Sequence, residues 1–104
     1  MITVRIRTTD GRISSYEVSG HAEYAEHGKD IVCGIVSALT MSAARSLQDY
    51  LGKEGIYNSE NGYAYIEISD TDEKTEAILR TMKIGLKALE KDYPKNLRLI
   101  EIRG

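Results

Sequence analysis

MITVRIRTTDGRISSYEVS, residues 1–19, decides how the rest of the chain must be arranged. From Met1 to Thr8, Ile2, Val4 and Ile6 alternate with polar residues at the period of an extended strand. Asp10-Gly11 is a favoured two-residue turn, and Arg12 to Ser19 resumes the extended pattern around Tyr16 and Val18. The opening is therefore a β-hairpin with one apolar face. A hairpin of this kind is stable in water only if further elements cover that face.

The cover is written downstream. Gly20 to Lys29 lacks either periodicity and reads as a loop of about ten residues, longer than most strand-to-helix connections. Asp30 is then expected to cap a helix in which Val32, Val36, Leu39, Ala43, Leu47 and Tyr50 recur at helical spacing until Gly52 stops it. Asn61-Gly62 signals a second hairpin, joining a strand near Ile56 to one containing Ala64, Ile66 and Ile68. Asp70 to Tyr93 reads as a second helix, with Ile78, Met82, Leu86 and Leu89 on one face, acids early, lysines late and Pro94 beyond its end. Leu97 to Ile102 closes the chain as a strand. The order ββαββαβ predicts an α+β fold, two amphipathic helices packed on a mostly antiparallel sheet. With no linker or repeat, residues 1–104 read as a single domain, long enough to bury roughly two thirds of its unfolded surface.

Composition narrows the function. A net charge of −2 argues against direct nucleic-acid binding, which needs a basic face, and no Trp or Phe is present to build a base-stacking platform. No apolar run is seen near the ~20 residues of a membrane span, so no membrane association is expected. Met1 leads straight into a strand pattern without the charged and apolar regions of a signal peptide, which points to a cytoplasmic protein. Cys33 is the one cysteine, so no intrachain disulfide can form and its role is either packing or reactivity.

Two readings of Cys33 stand side by side. A lone helical cysteine is commonly a small buried hydrophobe. Alternatively, with Asp30 as cap, Cys33 would be the third helical residue, where free amides and the positive end of the helix dipole favour a thiolate. On a helical wheel it shares a small, more polar strip with Ser37, Thr40 and Ala44, which allows it to face a cleft. His21 stands at the exit of the preceding strand, on the sheet edge where the helix should begin. It could take the thiol proton and return it to a leaving amine. The amides around Cys33 and Gly34 could then stabilise an oxyanion, with Gly34 leaving room for a substrate backbone. His21 and His27 read equally well as solvated loop residues. A metal held by His21, His27 and Cys33 fits no familiar ligand spacing, so no metal and no cofactor are expected.

Gly20-His21-Ala22, Gly28-Lys29-Asp30-Ile31-Val32-Cys33 and Val36-Ser37-Ala38-Leu39 together resemble the ribosomal-processing cysteine protease family, also called Prp, and the chain matches it in length. The resemblance implies a cytoplasmic homodimeric endopeptidase. Its substrate would be the N-terminal extension of the large-subunit ribosomal protein numbered twenty-seven, cut after an aromatic pair. It implies His21 and Cys33 as the catalytic pair, with Asp30 and Ser37 at the family's acidic and serine positions; Gly34-Ile35 departs from the small residues that usually follow the cysteine. The alternative class is a non-enzymatic ribosome-assembly or adaptor module with a structural cysteine.

Overall fold

The structure is a computed structural model that describes residues 1–20 and 27–104, with the side chains of residues 27–30 outside the description. His21, the rest of the expected loop as far as residue 26, and the side chain of Asp30 therefore lie outside the described residues. The elements are β1 (Ile2–Thr9), β2 (Arg12–Ser19), α1 (His27–Arg45) continued by a π-helical turn (Ser46–Tyr50), β3 (Gly55–Glu60), β4 (Tyr63–Ile68), α2 (Glu73–Asp92) and β5 (Leu97–Arg103). This is the expected order.

The first hairpin turns at Asp10 and Gly11, with φ of 52° and 82°. Positive values at both turn positions match the right-handed twist of the flanking strands, which is why Asp-Gly is favoured there. Ser14 is an extra residue, since Arg7 pairs with Ser15 but Thr8 with Ile13. Ile13, in the non-bonded pair next to the turn, points its N–H away from β1, and the Glu76 carboxylate of α2 accepts it at 2.8 Å. The sheet runs β3-β4-β2-β1-β5. Among the described residues only the β1–β5 pair is parallel; the hairpins and the β2–β4 pair are antiparallel.

One face of the sheet carries the core. Ile2, Val4 and Ile6 of β1, Ile13 and Tyr16 of β2, Ile66 and Ile68 of β4 and Leu97 of β5 are buried against the helices. From above come Val32, Val36, Ala43 and Leu47 of α1 and its π turn, and Leu79, Met82, Leu86 and Leu89 of α2. The Tyr16 hydroxyl donates to the Thr40 carbonyl at 2.6 Å, fastening α1 to β2 through a buried bond.

Three expectations need correction. Asp30 is the fourth residue of α1, not its cap, because the helix already begins at His27. The apolar period starts only at Val32, yet extending a nucleated helix by one turn costs little, so the helix outruns its apolar face. Tyr50 was expected on that face but is 80% exposed. The π turn inserts about one extra residue per turn, rotating Tyr50 outward by about 100° and handing its inward place to Leu51, which packs on the core. The expected apolar face of α2 holds, with Ile78 packed against the core and Leu79 fully buried beside it. Finally, Ile31–Tyr50 is apolar and long enough by composition to cross a membrane, contrary to the sequence expectation. Its apolar side, Val32, Val36, Ala43 and Leu47, is spent on covering the sheet.

Candidate active site

Cys33 is half-buried on the second turn of α1 and faces a cleft of about 310 Å³ between that helix and the β3–β4 hairpin. Ser37 and Thr40, one and two turns further on, line the same cleft. The small, polar strip read on the helical wheel is therefore the wall of a cavity, and the core stripe of Val32 and Val36 lies beside it. Opposite stand Ser59, Glu60, Asn61, Gly62 and Tyr63, at the tip of the second hairpin. The floor is apolar, made by Ile2 and Val18.

Gly20 lines the cleft at the point where β2 leaves the sheet. Its φ is +91°, its N–H donates to the Gly62 carbonyl at 3.1 Å, and a Cβ there would run into the carbonyl oxygen of Met1. Only glycine meets both conditions. The next residue in the chain is His21.

Moving the helix start to His27 changes the chemistry expected of Cys33. As the seventh residue of α1 its N–H belongs to the helix ladder, as does that of Gly34, so neither is free to hold an oxyanion. The dipole's effect also fades beyond the first turn. Activation of the thiol therefore needs a neighbouring base. Gly34 is exposed, with open space, apart from its own helix backbone, where a Cβ would stand, and among the described residues it is not part of the cleft wall. Ser37 lines the cleft, and one turn on the Thr40 hydroxyl donates to Val36 O at 2.8 Å. Among the described residues no cluster of His, Cys, Asp and Glu suits a metal.

Sequence reasoning missed the far wall. Asn61-Gly62 was legible as a hairpin turn, yet nothing in those residues signals that β4 lies beside β2 and so brings the turn opposite Cys33.

The family model for cysteine protease Prp matches residues 1–98. The ribosomal processing cysteine protease Prp of Bacillus subtilis is 34% identical to this chain, with 93% of this chain and 92% of that protein covered. The crystal structure of the Staphylococcus aureus ribosomal processing protease Prp in complex with a substrate peptide superposes with a TM-score of 0.88 at 30% identity, covering 97% of this chain and 99% of that one. The same enzyme with a covalently linked product peptide gives a TM-score of 0.86 at 30% identity over the same shares.

Proposed function

The chain belongs to the cysteine protease Prp family, and from that premise we propose that it removes the N-terminal extension of a large-subunit ribosomal protein, with Cys33 as nucleophile and His21 as its base. The observation that carries the reading is the position of Cys33: the one thiol of the chain faces a cleft bounded by Gly20, and one peptide bond separates Gly20 from His21. His21 is thus the residue that follows directly on a residue of the cleft lining. The S. aureus relative carries a substrate peptide in one structure and a covalently linked product peptide in another, which supports a peptide as substrate and a covalent route.

In this mechanism the His21 imidazole accepts the thiol proton and the Cys33 sulfur attacks the scissile carbonyl. The tetrahedral adduct collapses by breaking the C–N bond, and the imidazolium gives its proton to the leaving amine. Water, deprotonated by the same imidazole, then hydrolyses the thioester. Ser59 and Asn61 line the cleft and carry donors that can serve the oxyanion in place of the committed helix amides. The protein acts as a homodimer in the cytoplasm, as the family resemblance implies, and sedimentation of the purified chain checks the dimer.

The test is incubation with an extended ribosomal protein and mass measurement of the product. Wild type should release the extension after its aromatic pair. Cys33→Ala and Cys33→Ser should be inactive, His21→Ala should lose several orders of magnitude, and His27→Ala should keep most activity. His21→Ala should also slow alkylation of Cys33 at neutral pH, since the helix start does not reach the thiol. A folded His27→Ala as inactive as His21→Ala would overturn the choice of base.

A further inference from the structure

The two edges of the sheet are treated differently. On β5 the N–H of Leu99 is taken by Glu90 Oε2 at 2.6 Å, so a side chain of α2 occupies that edge. On β3 the register dictates which main-chain groups are free. Ser69 N donates to Glu54 O at 3.0 Å, and the bonded pairs then recur every second residue as Ile56–Glu67, Asn58–Tyr65 and Glu60–Tyr63. The N–H and C=O groups of Gly55, Tyr57 and Ser59 therefore point away from the sheet. Among the described residues no hydrogen bond reaches them. Unpaired edge groups of this kind are a template for another strand, and β3 has neither proline nor lysine to discourage one.

Beside this edge lies a hollow of about 200 Å³, floored by Tyr16 and Ile66 and walled by Met41, Ala44, Tyr57 and Gln48. It shares Thr40, Met41, Ser59 and Ala64 with the Cys33 cleft, so the two form one groove along β3. Met41 is 55% exposed at their junction, an apolar side chain left open in the groove. An apolar cavity of ~150 Å³ already holds benzene, so this hollow has room for an aromatic or branched aliphatic side chain.

We propose that the peptide substrate docks as an added strand on β3, and that this hollow takes an apolar side chain about three to four residues from the bond cut at Cys33. The proposal rests on the protease reading of the Cys33 cleft. Its distance follows from α1: Cys33 to Met41 is about 12 Å along the helix, which an extended peptide covers in three to four residues. A peptide residue paired opposite Tyr57 sends its side chain to Tyr57's own face of the sheet, which is the face of the hollow. Main-chain bonds supply affinity and the hollow supplies selectivity, as in other cases of strand addition.

Hydrogen exchange in Cys33→Ala protein, with a synthetic peptide reaching about six residues to either side of the ribosomal extension junction, reads the docking without catalysis. The N–H groups of Tyr57 and Ser59 should slow by at least about tenfold, while those of Ile56 and Asn58, already bonded to β4, should change little. Equal or absent slowing at all four overturns strand addition. In cleavage-competent protein, Ser59→Pro should lower kcat/KM on this peptide by at least about tenfold relative to Ser59→Ala, since proline at an outward edge position removes only the free donor. Ala44→Trp, which fills the hollow, should lose a similar factor on the long peptide but little on one trimmed to two residues either side of the junction. Equal loss on both peptides overturns the side-chain pocket. Cleavage by wild type without protection of Tyr57 and Ser59 sinks the docking and leaves the protease reading; protection without cleavage sinks the protease reading and leaves the docking.

Discussion

Gly20 is the residue on which the site depends most among those described, because it is a backbone requirement and not a packing preference. Any side chain there meets two penalties, a left-handed φ of +91° and collision with the Met1 carbonyl. Gly11 isolates the first penalty, since its φ is +82° and nothing lies within 4 Å of a Cβ. Gly11→Ala should then cost about 1–2 kcal/mol and leave cleavage intact. Gly20→Ala should cost at least about 1 kcal/mol more in urea unfolding and lower kcat, because relieving the collision moves the β2 exit that leads into His21. Equal costs at the two glycines would show that the Met1 contact relaxes freely. The sequence did mark Gly20 as part of a motif, but its reason, the approach of the N-terminal residue, comes from pairing between β1 and β2.

At the scale of elements, the two helices begin in opposite ways. Asp72 caps α2 visibly: its Oδ1 accepts from Lys74 N and Thr75 N, both at 2.9 Å, and Thr75 Oγ1 accepts from Asp72 N at 2.9 Å. Its second oxygen meets Lys53 Nζ at 2.7 Å, linking the cap to the segment before β3. The Lys53 hydrogen bond first, and the Thr75 amide next, hold the Asp72 carboxyl down to about 2 from the ordinary 3.8. With the folded value below the unfolded one, ionised Asp72 stabilises the protein fully above about pH 3.8, and the contribution is lost as pH falls through about 2. Asp72→Asn keeps an acceptor for the amides and loses the ion pair, so it should melt lower than wild type at pH 7, and Asp72→Ala lower again by about 5 °C. Melts recorded downward in pH should bring wild type and Asp72→Asn together near pH 2. A difference that persists unchanged would mean the charge is not what stabilises the cap. The sequence reading places the start of α2 at Asp70, two residues before this cap, and that of α1 at Asp30, although the helix runs through Asp30 from His27.

Across the whole molecule, the site and the core are one structure. Val36 is buried in the core and also lines the Cys33 cleft, and Tyr16 both floors the neighbouring hollow and holds α1 through Thr40. A core defect far from the cleft should therefore reach activity through stability. Leu86 is 0% exposed and Ile84, on the other side of α2, is 63% exposed. Leu86→Ala should cost about 2–5 kcal/mol in urea unfolding and reduce activity on warming, while Ile84→Ala should stay within about 0.5 kcal/mol. Comparable costs would mean that Leu86 is not part of a shared core. Element order, both hairpins and the amphipathic helices were legible in the chain because alternation, helical period and Asp-Gly or Asn-Gly turns depend on neighbours a few residues apart. The resemblance carried by the segments around Gly20 and Cys33 was equally local, and it named the family. Only the tertiary structure decided that β4 lies against β2, that β3 is left as an open edge, that a π turn swings Tyr50 outward and that Asn61 stands across a cleft from Cys33. Those features follow from which apolar faces are buried together, a choice made by all the elements at once and recorded in no single stretch of sequence.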